Sequence, residues 1–194
     1  MVGQEDGVFL SKSIKEAEQY VEKLFSEGKE SASLCPYYNI KKEYRCFYLN
    51  GEVLLIYGKE KPYIMGNGKD TVEKLCKKIN KTSKIIENNI DYKYIPQKNE
   101  KVYLSWKHNL SRGATPEILD KGELYNKIED IAINAAKAIN IKFATVDVIK
   151  TEEDKLYVME INSGVGATKF SQQVENGYEI TKEIYRKVLK LLLE

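Results

Sequence analysis

Phe143-Ala144-Thr145-Val146-Asp147-Val148-Ile149, then Thr151 to Asp154, then Lys155-Leu156-Tyr157-Val158-Met159-Glu160-Ile161-Asn162, is the stretch on which the fold turns. Two β-branched, apolar runs flank a four-residue polar turn, which predicts a β-hairpin. With Lys150 opposite Lys155, Asp147 is expected to face Val158, and Thr145 to face Glu160. Side chains alternate with period two, so Asp147, Glu160 and Asn162 project from one face. Asp147 and Glu160 become diagonal neighbours, their Cα atoms on the order of 7–8 Å apart. The other face carries Ala144, Val146, Val148, Tyr157, Met159 and Ile161 and is expected to be buried. Acids at the end of a buried apolar strand pair cost free energy unless paired or metal-bound. Two readings follow, an Mg²⁺ site of oxygen ligands or a solvated strand end with ordinary salt bridges, and spacing alone does not choose between them.

Length and composition narrow the classes. A chain of 194 residues implies one domain, or one large domain with a small lobe. A net charge of +2 gives no strong field, so nucleic acid is not an expected partner. Cys35, Cys46 and Cys76 form no Cys-x-x-Cys, which fits a reduced cytoplasm and argues against a disulfide scaffold or a zinc ribbon. His108 is the only histidine, which excludes multi-histidine metal sites and most histidine-based triads. There is no signal-like start and no apolar run near ~20 residues, so neither export nor a membrane span is expected.

Outward from the hairpin, the chain alternates strands and helices. Gly3 and Gly7 flank Gln4-Glu5-Asp6 ahead of Val8-Phe9-Leu10, read as a short strand. The glycines suit either a loop that covers phosphates or a flexible start. Ser13 and Glu16 form a capping box, followed by Ile14, Ala17, Tyr20, Leu24 and Phe25 at helical spacing up to Gly28. Residues 31–40 read as an extended linker around Pro36. Asn50-Gly51 between two apolar runs predicts a second hairpin, residues 43–59. Arg45 shares a face there with Glu43, Phe47, Leu49, Leu54 and Ile56, turned toward a polar ligand or paired with Glu43. Strict alternation puts Lys59 on the other face, unless Gly58 marks a bulge. Asp70 and Glu73 read as a capping box for a helix with Val72, Leu75, Cys76 and Ile79. Ile85, Ile86 and Ile90 follow in a segment read as helical and then loop. Val102-Tyr103-Leu104 is a short strand, and Lys107, His108, Asn109 and Arg112 gather in a basic, amide-bearing loop suited to anions. A lone loop histidine is more often structural than catalytic. Leu124 to Asn140 predicts an amphipathic helix packed on the central hairpin. Ser163-Gly164-Val165-Gly166-Ala167 opens short helices, and Ile180, Ile184, Val188, Leu191 and Leu192 mark a C-terminal helix.

Val146-Asp147-Val148-Ile149 and Met159-Glu160-Ile161-Asn162 closely resemble the metal-binding end of ATP-grasp ligases. Glu43-Tyr44-Arg45, Asn50-Gly51-Glu52-Val53 and Lys59 resemble that family's central strands. Lys61-Pro62-Tyr63-Ile64-Met65-Gly66-Asn67-Gly68 and Asn109-Leu110-Ser111-Arg112-Gly113 are similar to segments of its cyanophycin synthetase and bifunctional glutathione synthetase branch. These motifs stand in family order over most of residues 1–170. Asn67 departs from the usual Asp, and Arg112-Gly113-Ala114 from the usual small residue and two glycines.

The resemblance implies an α/β chain with α+β lobes: an ATP-grasp fold of antiparallel sheets packed with helices, N-terminally truncated. Residues 1–60 are expected to form a partial nucleotide-covering lobe, and 61–194 the catalytic lobe. The family normally carries an N-terminal domain and an ATP-binding lysine ahead of the glycine loop. Their absence here is expected to mean truncation, a separate N-terminal subunit as partner, or gene decay; a homodimer is the other expected assembly. The implied activity joins a small carboxylate to an amine with ATP and Mg²⁺ (or Mn²⁺), through an acyl phosphate. By position, Asp147, Glu160 and Asn162 hold the metal. Arg112 and Arg45 face the transferring phosphoryl group, with Lys59 as a weaker candidate. Asn109 positions substrate or phosphate. Leu34, Cys35 and Tyr37 form the hinge against adenine, and Gly3 and Gly7 belong to the phosphate-covering loop. The alternative is a non-catalytic remnant that binds nucleotide or a partner.

Overall fold

The computed structural model describes residues 7–78 and 90–193. Gly3, Ile79, Ile85 and Ile86 fall outside the described residues. The chain divides into two compact units, Met1–Asn39 and Ile40–Glu194.

In the first unit, helix α1 spans Ile14–Ser26. Ser13 Oγ accepts the Glu16 N–H at 3.2 Å, and the Glu16 carboxylate accepts the Lys12 N–H at 2.6 Å. The two contacts satisfy backbone donors that the first turn leaves open. At the other end, Gly28 lies at φ +84. Its N–H bonds the Phe25 carbonyl while that of Lys29 bonds the Leu24 carbonyl, each at 3.0 Å. This pair of bonds closes the last turn, and the left-handed residue it needs favours glycine. Val8–Leu10 is not a strand; Phe9 instead stacks on Tyr20 of α1, with ring centroids 4.5 Å apart. No residue of α1 is buried.

The second unit is built on an antiparallel sheet of five strands: β1 (Ile40–Leu49), β2 (Glu52–Glu60), β5 (Thr115–Ile118), β6 (Phe143–Thr151) and β7 (Leu156–Asn162), in the order β5-β2-β1-β6-β7. Asn50 and Gly51, at φ 43 and 106, make the tight β1–β2 turn. β5 carries Pro116, which cannot donate to a ladder, and an edge strand tolerates that loss.

Both sheet faces are covered. On one, Tyr44, Cys46, Ile56, Val146 and Val148 pack against Tyr125, Ile128, Ala132 and Ala136 of α3 (Glu123–Ala138). The spacing of those helix residues gives α3 its single apolar stripe. On the other, Phe47, Leu55 and Tyr57 pack against Ala167, Phe170 of α4 (Thr168–Gln173) and Ile184 of α5 (Gly177–Leu193). A two-stranded sheet, β3 (Tyr63–Met65) with β4 (Lys101–Tyr103), lies over α2 (Val72–Lys78). Ile64, Val72, Leu75, Cys76 and Leu104 form that core. Thr71 Oγ1, not Asp70, takes a helix N–H there, from Lys74 at 3.4 Å. Asp70 binds Lys78 Nζ and Asn67 Nδ2 instead.

Two bulges correct the sequence registers. In the β1–β2 ladder, Phe47 pairs with Leu55 and Tyr48 with Val53, which leaves Leu54 over. The parity of β2 therefore flips before Gly58. Lys59 lies directly opposite Glu43, on the Arg45 face, while Ile56 joins the α3 face. In the β6–β7 ladder, Val148 pairs with Val158 but Asp147 with Glu160, so Met159 is the extra residue. Asp147 and Glu160 are thus direct cross-strand partners, not diagonal ones, and Thr145 faces Asn162. Of the residues expected on the apolar face, Ala144, Val146 and Val148 are inaccessible, whereas Tyr157, paired with Ile149 and so turned to the Asp147 face, and the extra residue Met159 are 38% and 47% exposed.

Residues 40–60 share their sheet with β6 and β7, so they lie in the same compact unit as 61–194.

Candidate functional site

Four neighbouring strands, β2, β1, β6 and β7, present charge on one face. Arg45 on β1 lies opposite Tyr57 on β2 and Asp147 on β6, and Asp147 lies opposite Glu160 on β7. Arg45 Nε donates to Asp147 Oδ1 at 2.7 Å, and Arg45 Nη2 to Oδ2 at 2.6 Å. Lys59 Nζ donates to the same Oδ2 at 3.0 Å and also to Glu43 Oε1. Asp147 is wholly inaccessible, and Lys59 and Glu43 are buried. Two acids and two bases thus balance inside the sheet, the arrangement that buried charge requires.

The quartet titrates as its surroundings dictate. Burial pushes the Asp147 carboxyl up, but the hydrogen bond and charge of Arg45 and the charge of Lys59 outweigh it and hold it below the usual range. Glu43 goes the other way. Burial raises its carboxyl, and Lys59 only partly offsets this while the Asp147 charge adds to it. Burial pulls the Arg45 guanidinium down, yet its bonds to Asp147 leave it raised overall. Tyr57 is pushed up to about 12, chiefly by burial, although its hydroxyl meets Arg45. Its ring stacks on Phe170 with centroids 4.8 Å apart. Tyr57 is a member of the site that sequence reading missed, and so is Glu43 as the partner of Lys59. The displaced parity of β2 hid both.

At the sheet edge the charge meets solvent. The Glu160 side chain is 50% exposed and its Oε1 lies 3.8 Å from Arg45 Nη2. Asn162 Nδ2 donates to the same Oε1 at 2.8 Å. The expected metal residues Asp147, Glu160 and Asn162 therefore share one face. A half-exposed carboxylate and an amide carbonyl are the hard oxygen donors that Mg²⁺ or Mn²⁺ takes, so Glu160 and Asn162 fit such an ion. Asp147 already gives both oxygens to cations. Among the described residues, no group of three or more His, Cys, Asp or Glu could hold a metal ion.

Asn109 and Arg112 lie in the segment after β4, where Leu110–Arg112 forms a single 3₁₀ turn. The Asn109 carbonyl accepts the N–H groups of Arg112 and Ala114 at 2.9 and 3.2 Å. Gly113 ends the turn at φ +89, a left-handed position that glycine occupies without strain. The preceding His108 is buried, and its Nδ1 lies 2.8 Å from the Lys59 carbonyl. In the first unit, Gly7 sits at φ +120 against Leu24, and Leu34, Cys35 and Tyr37 are exposed. On the opposite face of the main sheet, a cavity of about 440 Å³ is lined by Lys42, Tyr44, Glu60, Glu117 and Lys150. Lys42 there is held by Glu60 and Glu117, each at 3.0 Å, and none of the quartet lines that cavity.

A family model described as a RimK-like ATP-grasp domain matches residues 85–188. The glutathione biosynthesis bifunctional protein GshAB of Clostridium perfringens is 26% identical over 186 residues, covering 84% of this chain and 23% of the relative. The tetrahydromethanopterin:alpha-L-glutamate ligase of Methanocaldococcus jannaschii is 38% identical over 71 residues, 35% of this chain and 23% of the relative. The crystal structure of a bifunctional glutathione synthetase from Pasteurella multocida aligns with a TM-score of 0.53 at 17% identity, over 77% of this chain and 24% of that one. The chain spans about a quarter of the length of these relatives. Among the described residues, no helix is long and apolar enough to cross a membrane.

Proposed function

The chain belongs to the RimK-like ATP-grasp family, and from that premise we propose that it serves ATP-dependent ligation of a carboxylate to an amine. The observation that carries this reading is the pair of cations, partly buried Arg45 and buried Lys59, beside the oxygen donors Glu160 and Asn162 at one sheet edge. A substrate carboxylate oxygen attacks the terminal phosphorus of ATP; the bond to ADP breaks and an acyl phosphate forms. The amine then attacks the acyl carbon, phosphate leaves, and the amine proton passes to solvent or a base.

Each residue answers one need of that sequence. Arg45 is fixed by its two bonds to Asp147, so its charge is in place before phosphoryl transfer and needs no reorganisation. Arg112 and Asn109 carry a second positive and amide-bearing surface for the phosphates. Glu160 and Asn162 would hold Mg²⁺ or Mn²⁺, with Asp147 joining them where it releases a cation. The bound ion supplies charge neutralisation of the triphosphate.

A second reading, a nucleotide- or partner-binding module without turnover, is favoured by one observation: both Asp147 oxygens are taken by cations. Incubation with Mg·ATP, a panel of amino-acid and peptide carboxylates and hydroxylamine separates the two. Ligase chemistry gives ADP and hydroxamate in equal amounts. Nucleotide binding with no ADP release supports the module.

A further inference from the structure

His108 is the only histidine of the chain. It is buried at 4% exposure, with Nδ1 lying 2.8 Å from the carbonyl oxygen of Lys59. A carbonyl only accepts, so Nδ1 carries the proton and Nε2 presents a lone pair. That Nε2 is buried and has no hydrogen-bond partner among the described residues. An unmade bond in the interior costs free energy, and buried polar groups are nearly always paired. A side chain needed only to fill this space could be apolar and avoid that cost. The half-satisfied ring therefore points to the hydrogen bond it makes among the described residues.

That contact joins two parts of the candidate site. Lys59 reaches Glu43 and Asp147 through its ammonium group, while its own peptide carbonyl receives His108. His108 directly precedes Asn109, whose carbonyl organises the turn carrying Arg112. We propose that His108 is a positioning residue, which as the Nδ1–H tautomer pins the loop of Asn109 and Arg112 to the backbone of Lys59. It thereby sets the Lys59 ammonium against Asp147. Its importance for turnover rests on the ligase reading, but the pinning itself does not require nucleotide.

The test uses the full chain without nucleotide. Nitrogen-15 NMR of the single imidazole is expected to show a protonated Nδ1 and a bare Nε2; an Nε2–H tautomer overturns the proposal. His108→Asn keeps a donor close to the Nδ1 position, and His108→Gln places its amide near Nε2 instead. Labelling of lysines by an amine-reactive reagent, read by mass spectrometry, is expected to be about tenfold faster at Lys59 in His108→Gln than in wild type, as loss of one ordinary hydrogen bond gives. His108→Asn is expected to restore the wild-type rate, and Lys42 to be unchanged in both variants. Equal labelling of Lys59 in the two variants, or a parallel rise at Lys42, reduces His108 to a packing residue. Should His108→Gln not fold, wild-type NMR and His108→Asn labelling still decide. Failure of these measurements leaves the ligase reading standing, and absent ATP binding leaves the pinning standing.

Discussion

Arg45 and Asp147 sit directly opposite each other on adjacent strands, and the guanidinium takes both carboxylate oxygens, at 2.7 and 2.6 Å. The pair lies where apolar cover ends and the polar face of the sheet begins. Removing Arg45 strands the inaccessible Asp147 carboxylate with Lys59 alone, and removing the carboxylate leaves the partly buried guanidinium without its partner.

Asp147→Asn is therefore expected to destabilise the fold by about 3–5 kcal/mol, the cost of breaking a buried ion pair. Glu160→Gln, at a half-exposed position, should stay within about 0.5 kcal/mol of wild type. Urea unfolding of both variants checks the contrast. Equal midpoints would show that Asp147 is not the structural hub of the quartet.

The pH dependence has a sign that follows from burial. Burial pulls the His108 imidazole below its usual value, and the charges of Lys61 and Lys59 add to this, against the Lys59 carbonyl and Glu60. Its contribution to stability is complete above an unfolded value of about 6.5 and is lost as pH falls through it, by at most about 1.4 kcal/mol per pH unit. The depressed Asp147 carboxyl acts only lower, where pH drops through its folded value, below an unfolded value of about 3.9. Glu43, raised by burial, opposes the loss between the two. The difference in unfolding free energy between wild type and His108→Asn should shrink from pH 7.5 to pH 5. A difference independent of pH contradicts the neutral buried ring.

Gly66 lies at a close backbone approach, where an added Cβ would sit 2.1 Å from the Gln97 carbonyl oxygen. Gly66→Ala should cost about 1–3 kcal/mol or more, since neither backbone can yield freely. Gly164→Ala meets nothing within 4 Å and should change stability by less than about 0.5 kcal/mol. Thermal melts of the two variants supply the comparison, and equal melting temperatures would contradict the packing described for the Gly66 turn.

Arg112→Ala is expected to lower turnover by about 10²–10³, the range for losing one donor to transition-state charge, while nucleotide affinity changes far less. Steady-state kinetics beside equilibrium titration gives both numbers. Equal losses would make Arg112 a ground-state binding residue.

Much of this was legible in the residues. Asn50-Gly51 fixed a hairpin because its turn needs left-handed backbone at both positions. The alternation around Asp147 put the acids on one face. The two bulges were not legible, because a bulge is set by how the whole sheet packs and not by its own residues. One extra residue at Leu54 carried Lys59 and Tyr57 to the Arg45 face, and another at Met159 brought Glu160 directly opposite Asp147. The same bulge at Met159 turned Tyr157 to the Asp147 face, and on edge strand β7 both side chains stay partly exposed, a consequence of register and sheet order that no local pattern encodes. Nor could His108 be paired with Lys59 across 49 residues by spacing.

The measurement that bears most directly on the central claim is thermal unfolding in Mg·ATP against Mg²⁺ alone, on wild type and Glu160→Gln. Nucleotide at ~100 times its dissociation constant should stabilise wild type by about 2.7 kcal/mol, and the substitution should remove that gain. An identical melt in all conditions, or an undiminished gain in Glu160→Gln, would contradict a nucleotide held at this edge of the sheet.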